Sequence, residues 1–279
     1  MENKDKGIYK YFSNYIFENI GIVYEEKDYY RLESRLLQMC RRFDVENIQA
    51  LYSMYLQKIT GEMHQTVLDI ATNNETYFFR DTKPFVALSE DLLPRILKDR
   101  PGSGPINIWC GGCSSGQEPY SILMALSERL SASEIERINI TATDISSEIL
   151  TKAKSGTYTN LEIQRGLPIT HLVKYFSDNS NESWTVKKEI RDRISFSEFN
   201  LLTGTFPRGK YDIIFCRNVI IYQNRENKNK ILSSLFESLT PDGNLFLGSG
   251  ESLIGTDISY LQENLQGSMT FKKKHKQAA

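Results

Sequence analysis

Residues 106–121, INIWCGGCSSGQEPYS, give the clearest indication of the fold. A short apolar run, Ile106-Cys110, leads into glycines and then into a helical pattern with Pro119 in its first turn. Glycine lets the backbone approach a ligand closely, because it has no side chain in the way. The spacing is neither the G-x-G-x-x-G of dinucleotide-binding folds nor a phosphate loop with its lysine. The stretch therefore predicts the first strand, turn and helix of a nucleotide-binding sheet, and it favours an adenosyl ligand without phosphates.

From this stretch onward, apolar runs of strand length alternate with helical ones. The strand-like runs are Ile106-Cys110, Ile138-Thr143, Ile194-Phe199, Tyr211-Cys216 and Asn244-Leu247, and the helical runs are Glu118-Leu130, Ser146-Lys154 and Asn224-Leu239. Such alternation indicates crossover units and a mostly parallel sheet that is covered on both faces. The segment Asn264-Lys273, with Gly267-Ser268 between two extended halves, predicts a terminal antiparallel hairpin. The predicted fold class is therefore α/β and Rossmann-like.

The chain divides into unequal parts. Residues 1–72 show helical periodicity without strand-like alternation, which predicts a small N-terminal all-α domain in which Asp44 caps the third helix. Residues 73–279 then form the ligand-binding domain. Residues from about 155 to 192 interrupt the alternation and are too many for a plain loop in a compact domain. We expect an inserted β-subdomain there.

Composition narrows the class of protein further. The 279 residues are 40% apolar and 25% charged, as in an ordinary soluble globular protein, and the net charge of −1 gives no reason to expect nucleic acid as a partner. No apolar run is long enough to span a bilayer, and the first residues lack a signal-peptide pattern. With only four cysteines a disulfide framework is not expected, so the predicted compartment is the cytoplasm.

Acidic side chains follow the first two predicted strands. Glu118 stands at the start of the helix after the glycines, where it can accept hydrogen bonds from a cationic ligand or simply favour the helix terminus. Asp144 ends the second strand, where this fold binds ribose hydroxyls, although Asp144 or Ser146 can equally cap the next helix. Cys110 and Cys113 match C-x-x-C, but no further ligands have paired spacing, so no metal site is expected.

Other polar clusters lie at the junction before the sheet and at later strand ends. Residues 73–81 combine polar residues with consecutive aromatics, and Arg80 beside them can present a fixed guanidinium to a carboxylate, unless the segment is merely a domain junction. Arg217-Asn218 end a buried strand and Tyr222 lies in the following turn. These groups and Asn200-Leu201 face either the ligand crevice or only water.

Taken in order, these segments resemble the CheR family of chemotaxis receptor methyltransferases. The similar blocks are residues 74–81, 112–121, 142–145, 165–168, 215–222 and 248–252. The N-terminal helical region also resembles that of the family, so the resemblance covers nearly the whole chain. Gln117 departs from the pattern, because many relatives have glutamate there, but the family's ligand position is the next one, Glu118.

The resemblance implies a class I methyltransferase fold, S-adenosylmethionine as cofactor with S-adenosylhomocysteine as product, and methyl esterification of receptor glutamates. Implied cofactor contacts are Asn74, Thr76, Arg80, Glu118, Asp144, Asn200, Leu201, Arg217 and Asn218, and the residues implied near the transferred methyl are Arg80 and Tyr222. We interpret Arg80 as orienting the carboxylate of the substrate or of the cofactor, and Tyr222 as shaping the methyl channel.

The expected partner is the glutamate-rich cytoplasmic helical region of methyl-accepting chemotaxis receptors, which calls for a basic docking surface. Arg31, Arg35 and Arg42 share a helical face by their spacing and are candidates, although they also fit an ordinary solvated face. The inserted subdomain resembles one that in some members grips a receptor's C-terminal peptide. Two alternatives remain open: a methyltransferase with a small-molecule or nucleic-acid substrate, and a non-catalytic adapter that binds the cofactor as a signal.

Overall fold

The computed structural model describes residues 3–180 and 182–273. Its first part is helical: α1 (Asn3–Ile20), α2 (Tyr29–Arg42), α3 (Ile48–Gln57) and α4 (Gly61–Ala71). Their apolar faces meet in one buried cluster that includes Phe12, Leu32, Leu36, Leu51 and Val67. Helical periodicity predicted this region because each helix turns one apolar stripe toward the others.

The predicted helix cap at Asp44 is wrong. The side chain of Asn47 accepts a hydrogen bond from the backbone N–H of Ala50 and caps α3 instead. Asp44 lies earlier, in a left-handed turn with a φ of 51°, and the N–H of Val45 donates to the carbonyl of Cys40. Asp and Asn are favoured both in turns and as helix caps. Here Asp44 belongs to the turn that follows α2, and Asn47 caps α3.

A helical segment that the sequence did not predict connects the two parts. It comprises α5 (Lys83–Ala87), a π-helical turn (Leu88–Leu92) and α6 (Leu93–Asp99). The sheet then begins with β1 (Ile106–Gly111), α7 (Gln117–Ser127), α8 (Ala132–Ile135), β2 (Ile138–Asp144) and α9 (Ser147–Ser155).

The inserted region forms a separate small antiparallel sheet with strand order β3-β5-β4. Its elements are β3 (Thr157–Thr159), α10 (Asn160–Gln164), α11 (Ile169–Tyr175), β4 (Phe176–Asp178), β5 (Ser183–Val186) and α12 (Lys188–Arg191). This sheet lies within residues 155–192, where the interrupted alternation of strand-like and helical runs predicted an inserted β-subdomain.

The chain then returns to the main sheet. The remaining elements are β6 (Ile194–Glu198), β7 (Tyr211–Cys216), a 3-10 turn (Ile220–Tyr222), α13 (Arg225–Ser238), β8 (Leu239–Leu247), β9 (Tyr260–Leu265) and β10 (Ser268–Lys273). The strand order is β6-β2-β1-β7-β8-β10-β9, and β10 runs antiparallel to both of its neighbours. The predicted mostly parallel sheet with a terminal hairpin is confirmed. The carboxyl ends of β1, β2, β6 and β7 consequently meet at one edge.

Candidate active site

A cavity lies at this edge of the sheet, with about 1000 Å³ of empty space when its open mouth is included. It brings together every site residue that the sequence singled out: Asn74, Thr76, Arg80, Glu118, Asp144, Asn200, Leu201, Arg217, Asn218 and Tyr222. Other lining residues were not indicated by the sequence, among them Ile20, Ile22, Thr72, Val219 and Gln223. Several of these belong to the N-terminal helical region, whose position over the sheet no local pattern reveals.

The glycine loop after β1 is tied to the neighbouring strand. The N–H groups of Gly112 and Cys113 donate to the carbonyl of Thr143 at 2.8 and 2.9 Å. Gly112 has a φ of +75°, and a Cβ there would lie 2.4 Å from a methyl carbon of Val219. Glycine is therefore needed at this position for packing against the loop after β7, in addition to any close approach of a ligand.

Asp144 organises the same loop. Its carboxylate accepts hydrogen bonds from the backbone N–H of Ser114 at 2.8 Å and of Ser146 at 3.1 Å. Burial raises the pKa of Asp144, while the backbone N–H groups act in the opposite direction. The side chain of Ser146, which accepts from the N–H of Ile149, caps α9. Capping thus belongs to Ser146, and Asp144 presents a buried carboxylate in the cavity wall.

Arg217 joins three segments of the chain beneath the cavity. Its side chain is 2% exposed, and its Nη1 donates to Glu118 Oε2 at 2.8 Å. Its Nη2 donates to Asp81 Oδ2 at 2.6 Å and to the carbonyl of Arg80 at 2.8 Å. Such charge-assisted bonds hold planar groups in defined orientations. Arg217 therefore fixes the start of α7 relative to the segment that carries Arg80.

Glu118 is a buried carboxylate with one strong partner. Burial raises the pKa of Glu118, and the guanidinium of Arg217 acts in the opposite direction without cancelling it. Removing a carboxylate from water disfavours its charged form unless cationic groups surround it. The anionic form of Glu118 is therefore ready to gain from a further positive charge in the cavity.

Residues 74–81, here called the strap, contribute to the lining of the cavity. The strap turns sharply, with left-handed φ angles at Phe79 (53°) and Asp81 (66°). Phe78 is fully buried and anchors it, and the N–H of Phe79 donates to Ser121 Oγ at 3.0 Å. Arg80 Nη1 donates to the carbonyl of Glu75 at 3.0 Å. The strap joins the helical region to the sheet and also presents Arg80 to the cavity.

The loop after β7 is held in place by the carboxylate of Glu251, for which the sequence indicated no role. The Glu251 carboxylate accepts backbone N–H groups at 2.7–3.2 Å from Asn218, Val219, Ile221 and Gly248. Asn218 has a left-handed φ of 60°. The block at residues 248–252 was visible in the sequence, but only the fold shows that its carboxylate faces the loop.

Contacts from the N-terminal helices close the cavity on a further side. Asn200 Nδ2 donates to the carbonyl of Asn19 at 2.8 Å, and Gln223 Nε2 donates to the carbonyl of Ile20 at 2.9 Å. Tyr222 Oη accepts a hydrogen bond from Asn73 Nδ2 at 2.8 Å. The end of α1 thus contacts loops at the carboxyl edge of the sheet.

The arginines proposed for docking lie outside the cavity. Arg31 is exposed and 3.9 Å from Asp28, whereas Arg42 forms a 2.7 Å ion pair with Glu148 at the start of α9. Part of the predicted basic face therefore contacts another element of the chain. The C-x-x-C cysteines, Cys110 and Cys113, are buried, and burial raises the pKa of both thiols well above the ordinary value.

The lining suits a ligand that is partly apolar and carries charges of both signs. Carboxylates of Glu118 and Asp144 lie beside the guanidinium of Arg80 and the apolar side chain of Leu201. Among the described residues, buried Arg217 Nε and Gln223 Oε1 lack a hydrogen-bond partner. Buried polar atoms of this kind are normally satisfied by a ligand or water. S-adenosylmethionine, with its adenosine, ammonium and carboxylate groups, matches this set.

A mostly parallel sheet with a glycine loop, an acidic residue after its second strand and no phosphate-binding lysine defines a class I S-adenosylmethionine-dependent methyltransferase. The sequence model of the family described as CheR methyltransferase, SAM binding domain, matches residues 74–268. The chain belongs to this family.

Curated relatives agree with this assignment over most of their length. The chain is 37% identical over 255 residues to chemotaxis protein methyltransferase Cher2 of Pseudomonas putida, covering 90% of this chain and 92% of the relative. It is 38% identical to chemotaxis protein methyltransferase 1 of Pseudomonas aeruginosa (88% and 90% covered) and 31% identical to the Escherichia coli chemotaxis protein methyltransferase (86% and 82%). Within the described residues, we find no helix of sufficient length and apolar character to cross a bilayer.

Proposed function

We propose that this protein transfers the methyl group of S-adenosylmethionine to glutamate side chains of methyl-accepting chemotaxis receptors. The products are glutamyl methyl esters and S-adenosylhomocysteine, and the reaction serves sensory adaptation in the cytoplasm. The match of residues 74–268 to the CheR family carries the proposal. The relatives named chemotaxis protein methyltransferases support the receptor substrate.

The lining residues divide by chemistry into contacts for the methyl donor. Glu118 suits the ammonium group of the donor, because a buried carboxylate gains from a nearby cation. Asp144 suits the ribose hydroxyls, and the amides of Asn200 and Asn218 provide hydrogen-bonding groups for the polar edges. Leu201 offers apolar surface to the adenine. Further polar contacts come from Asn74, Thr76 and Arg217, which line the same cavity.

When bound, the donor supplies an electrophilic methyl group on a sulfonium sulfur. A glutamate with an ordinary pKa of about 4.3 is already ionised at neutral pH. One of its oxygens forms the new C–O bond while the C–S bond breaks, and the electron pair stays on sulfur. No proton has to move, so the protein needs no general base. Its residues must align the reacting groups, an effect that can lower the barrier by ~7–11 kcal/mol.

Arg80 and Tyr222 are the residues we propose for this alignment. Arg80 lies on the strap, where its guanidinium can pair with the carboxylate of the substrate or of the donor. Tyr222 lines the same cavity, and its hydroxyl accepts a hydrogen bond from Asn73 Nδ2, which holds it in place. Together these side chains narrow the approach to the methyl group and keep out wrongly oriented nucleophiles.

Receptor docking requires a surface outside the cavity. We propose the face of α2 that carries the exposed Arg31 and the partly buried Arg35, because cations there complement a glutamate-rich helix. Arg42 contributes less, because its guanidinium is paired with Glu148. The inserted subdomain flanks the strap and provides a further contact for the receptor.

The proposal is tested by incubating the purified protein with methyl-labelled S-adenosylmethionine and membranes that contain the receptors of the source organism. We expect label on receptor-sized polypeptides that mild alkali releases as methanol, because a methyl ester is base-labile. Alkali-stable label, or label on nucleic acid or small molecules, would assign the protein to another class of methyltransferase. Binding of the donor without any transfer would favour an adapter.

A further inference from the structure

The inserted subdomain contacts the strap through Arg165, which lies between α10 and α11. The Arg165 guanidinium lies over the ring of Tyr77, 4.6 Å from its centroid. Its Nη2 also donates to Glu75 Oε1 at 2.5 Å. About half of the Arg165 side chain is exposed (53%), so the subdomain does not need it as a core residue. Its contacts instead reach a segment 90 residues earlier in the chain.

The same strap residues hold Arg80. The guanidinium of Arg80 lies 5.6 Å from the Tyr77 centroid, and its Nη1 donates to the backbone carbonyl of Glu75. Cations are attracted to an aromatic face, and an arginine plane stacks on it in a defined orientation. Arg165 and Arg80 are therefore linked in two ways, because both guanidinium groups contact the Tyr77 ring and both donate hydrogen bonds to Glu75.

The turn that carries Arg165 is packed tightly against the strap. Gly166 has a φ of +95°, and a Cβ at that position would lie 2.2 Å from the carbonyl oxygen of Phe78. The Phe78 ring is enclosed by rings of the subdomain, 4.9 Å from Tyr158 and 5.6 Å from Phe176. The backbone of the strap therefore has little freedom beside this turn, and a change at Arg165 acts mainly on the side chains of the strap.

We propose that Arg165 is a positioning residue for methyl transfer, which acts through Tyr77 and Glu75 to hold the Arg80 guanidinium in the wall of the cavity. The ion pair is consistent with the lowered pKa of Glu75, whose first cause is the hydrogen bond from Arg165. The inference rests on the proposed function for the reaction it serves. The coupling between the two arginines is a property of the fold and can be tested without a substrate.

A double-mutant cycle measures whether Arg165 acts through Arg80. With receptor membranes as substrate, we expect R165A to lower turnover about fivefold or more, because small misplacements of an aligning group are costly. In the R80A background, R165A should then change turnover by less than about twofold. Losses that multiply in the double variant would overturn the proposal. R165K should recover only part of the activity, because lysine keeps the charge but lacks the planar fork.

A second measurement needs no receptor. The side-chain Nε–H NMR signal of Arg80, assigned by its loss in R80K, reports the environment of that guanidinium in the ligand-free protein. We expect R165A and Y77A to shift this signal and to speed its exchange with water. The matched control K188A, in α12 of the same subdomain, should leave it unchanged.

The two measurements separate this inference from the proposed function. An Arg80 signal that R165A does not alter would overturn the positioning role, even if receptors are methylated. A shifted signal with no methylation of any receptor would retain the coupling and contradict the proposed function instead. A thermal unfolding curve for R165A close to that of the parent protein would show that the fold is intact.

Discussion

Arg80 is the side chain whose substitution we expect to reduce activity most clearly while leaving stability nearly unchanged. Arg80 belongs to the strap and lines the cavity. In the free protein its guanidinium donates a hydrogen bond to the carbonyl of Glu75. Little of the fold depends on this bond, because the buried Phe78 ring and the backbone N–H of Phe79 anchor the strap separately. An aligning role therefore predicts a large loss of activity with a small loss of stability.

We expect Arg80→Ala to lower turnover by about a hundredfold or more, because proximity and orientation dominate this reaction. Steady-state kinetics with labelled donor would measure the loss, and circular dichroism would check that the fold is kept. Arg129→Ala is a matched control, since Arg129 is exposed and pairs with Glu90 away from the cavity. Near-normal turnover of the Arg80 variant would remove this residue from the mechanism.

Glu118 gives a prediction about pH. Because burial raises the pKa of Glu118 in the free protein, its carboxylate takes up a proton at a higher pH than an ordinary glutamate does. We propose that the anionic form is the one that attracts the ammonium group of the donor. Affinity for S-adenosylhomocysteine should therefore weaken as the pH falls through this raised pKa, above the usual range near 4.3.

Titration calorimetry at several pH values, for the parent protein and Glu118→Gln, checks this expectation. The variant should bind about tenfold more weakly at neutral pH and lose less affinity on acidification, since its amide does not titrate. Asp144, whose pKa is also raised, accounts for the dependence that remains. Identical pH profiles for the two proteins would contradict the role of Glu118.

At the scale of elements, the loop after β7 is held by a single carboxylate. Glu251 accepts the N–H groups that fix Asn218 and its neighbours at the cavity wall. In Glu251→Gln the amide nitrogen would face backbone donors, which leaves buried N–H groups unsatisfied at about 1–3 kcal/mol each. We expect affinity for S-adenosylhomocysteine to fall about tenfold or more and the Tm to drop by about 4 °C or more.

The exposed Glu237, in α13, offers a control for this variant. Glu237→Gln should alter neither affinity nor Tm by more than the error of the measurement, because surface ion pairs contribute little. If Glu251→Gln binds as tightly as the control does, the loop keeps its shape without the carboxylate, and the positioning role of Glu251 is wrong.

The sequence predicted those elements whose pattern is set by residues close together in the chain. Apolar runs ending in glycine or a polar residue located β1, β2 and β7, because buried parallel strands have few other possible patterns. The helical segment at residues 83–99 was missed, since its apolar residues follow directly on the aromatic strap and show no clear start. Asp44 was mistaken for a cap because a turn and a helix start look alike over a few residues.

The candidate site was predictable to the extent that its residues lie at strand ends or resemble family motifs. Asp144 and Arg217 were found in this way, and the fold places both in one cavity. Ile20, Gln223 and the carboxylate of Glu251 were not assigned to it, because their roles depend on contacts between segments far apart in sequence. Long-range packing, rather than local chemistry, is what the sequence alone did not reveal.

At the scale of the whole molecule, the N-terminal helices form part of the cavity wall. The end of α1 forms direct hydrogen bonds with Asn200 and Gln223, which also line the cavity. Ligand binding should therefore join the helical region more firmly to the sheet. We expect S-adenosylhomocysteine to slow amide hydrogen exchange at residues 19–22 and in the strap, where local opening limits exchange. Protection confined to the loops of the sheet would contradict this arrangement.

We propose that the cavity serves the transfer of a methyl group to receptor glutamates. The most direct test is mass-spectrometric mapping of receptors after incubation with the protein and isotope-labelled S-adenosylmethionine, with Arg80→Ala as the comparison. We expect labelled methyl esters on glutamate side chains of the cytoplasmic helical region, and almost none with the variant. Label on any other residue type, or equal labelling by the two proteins, would contradict it.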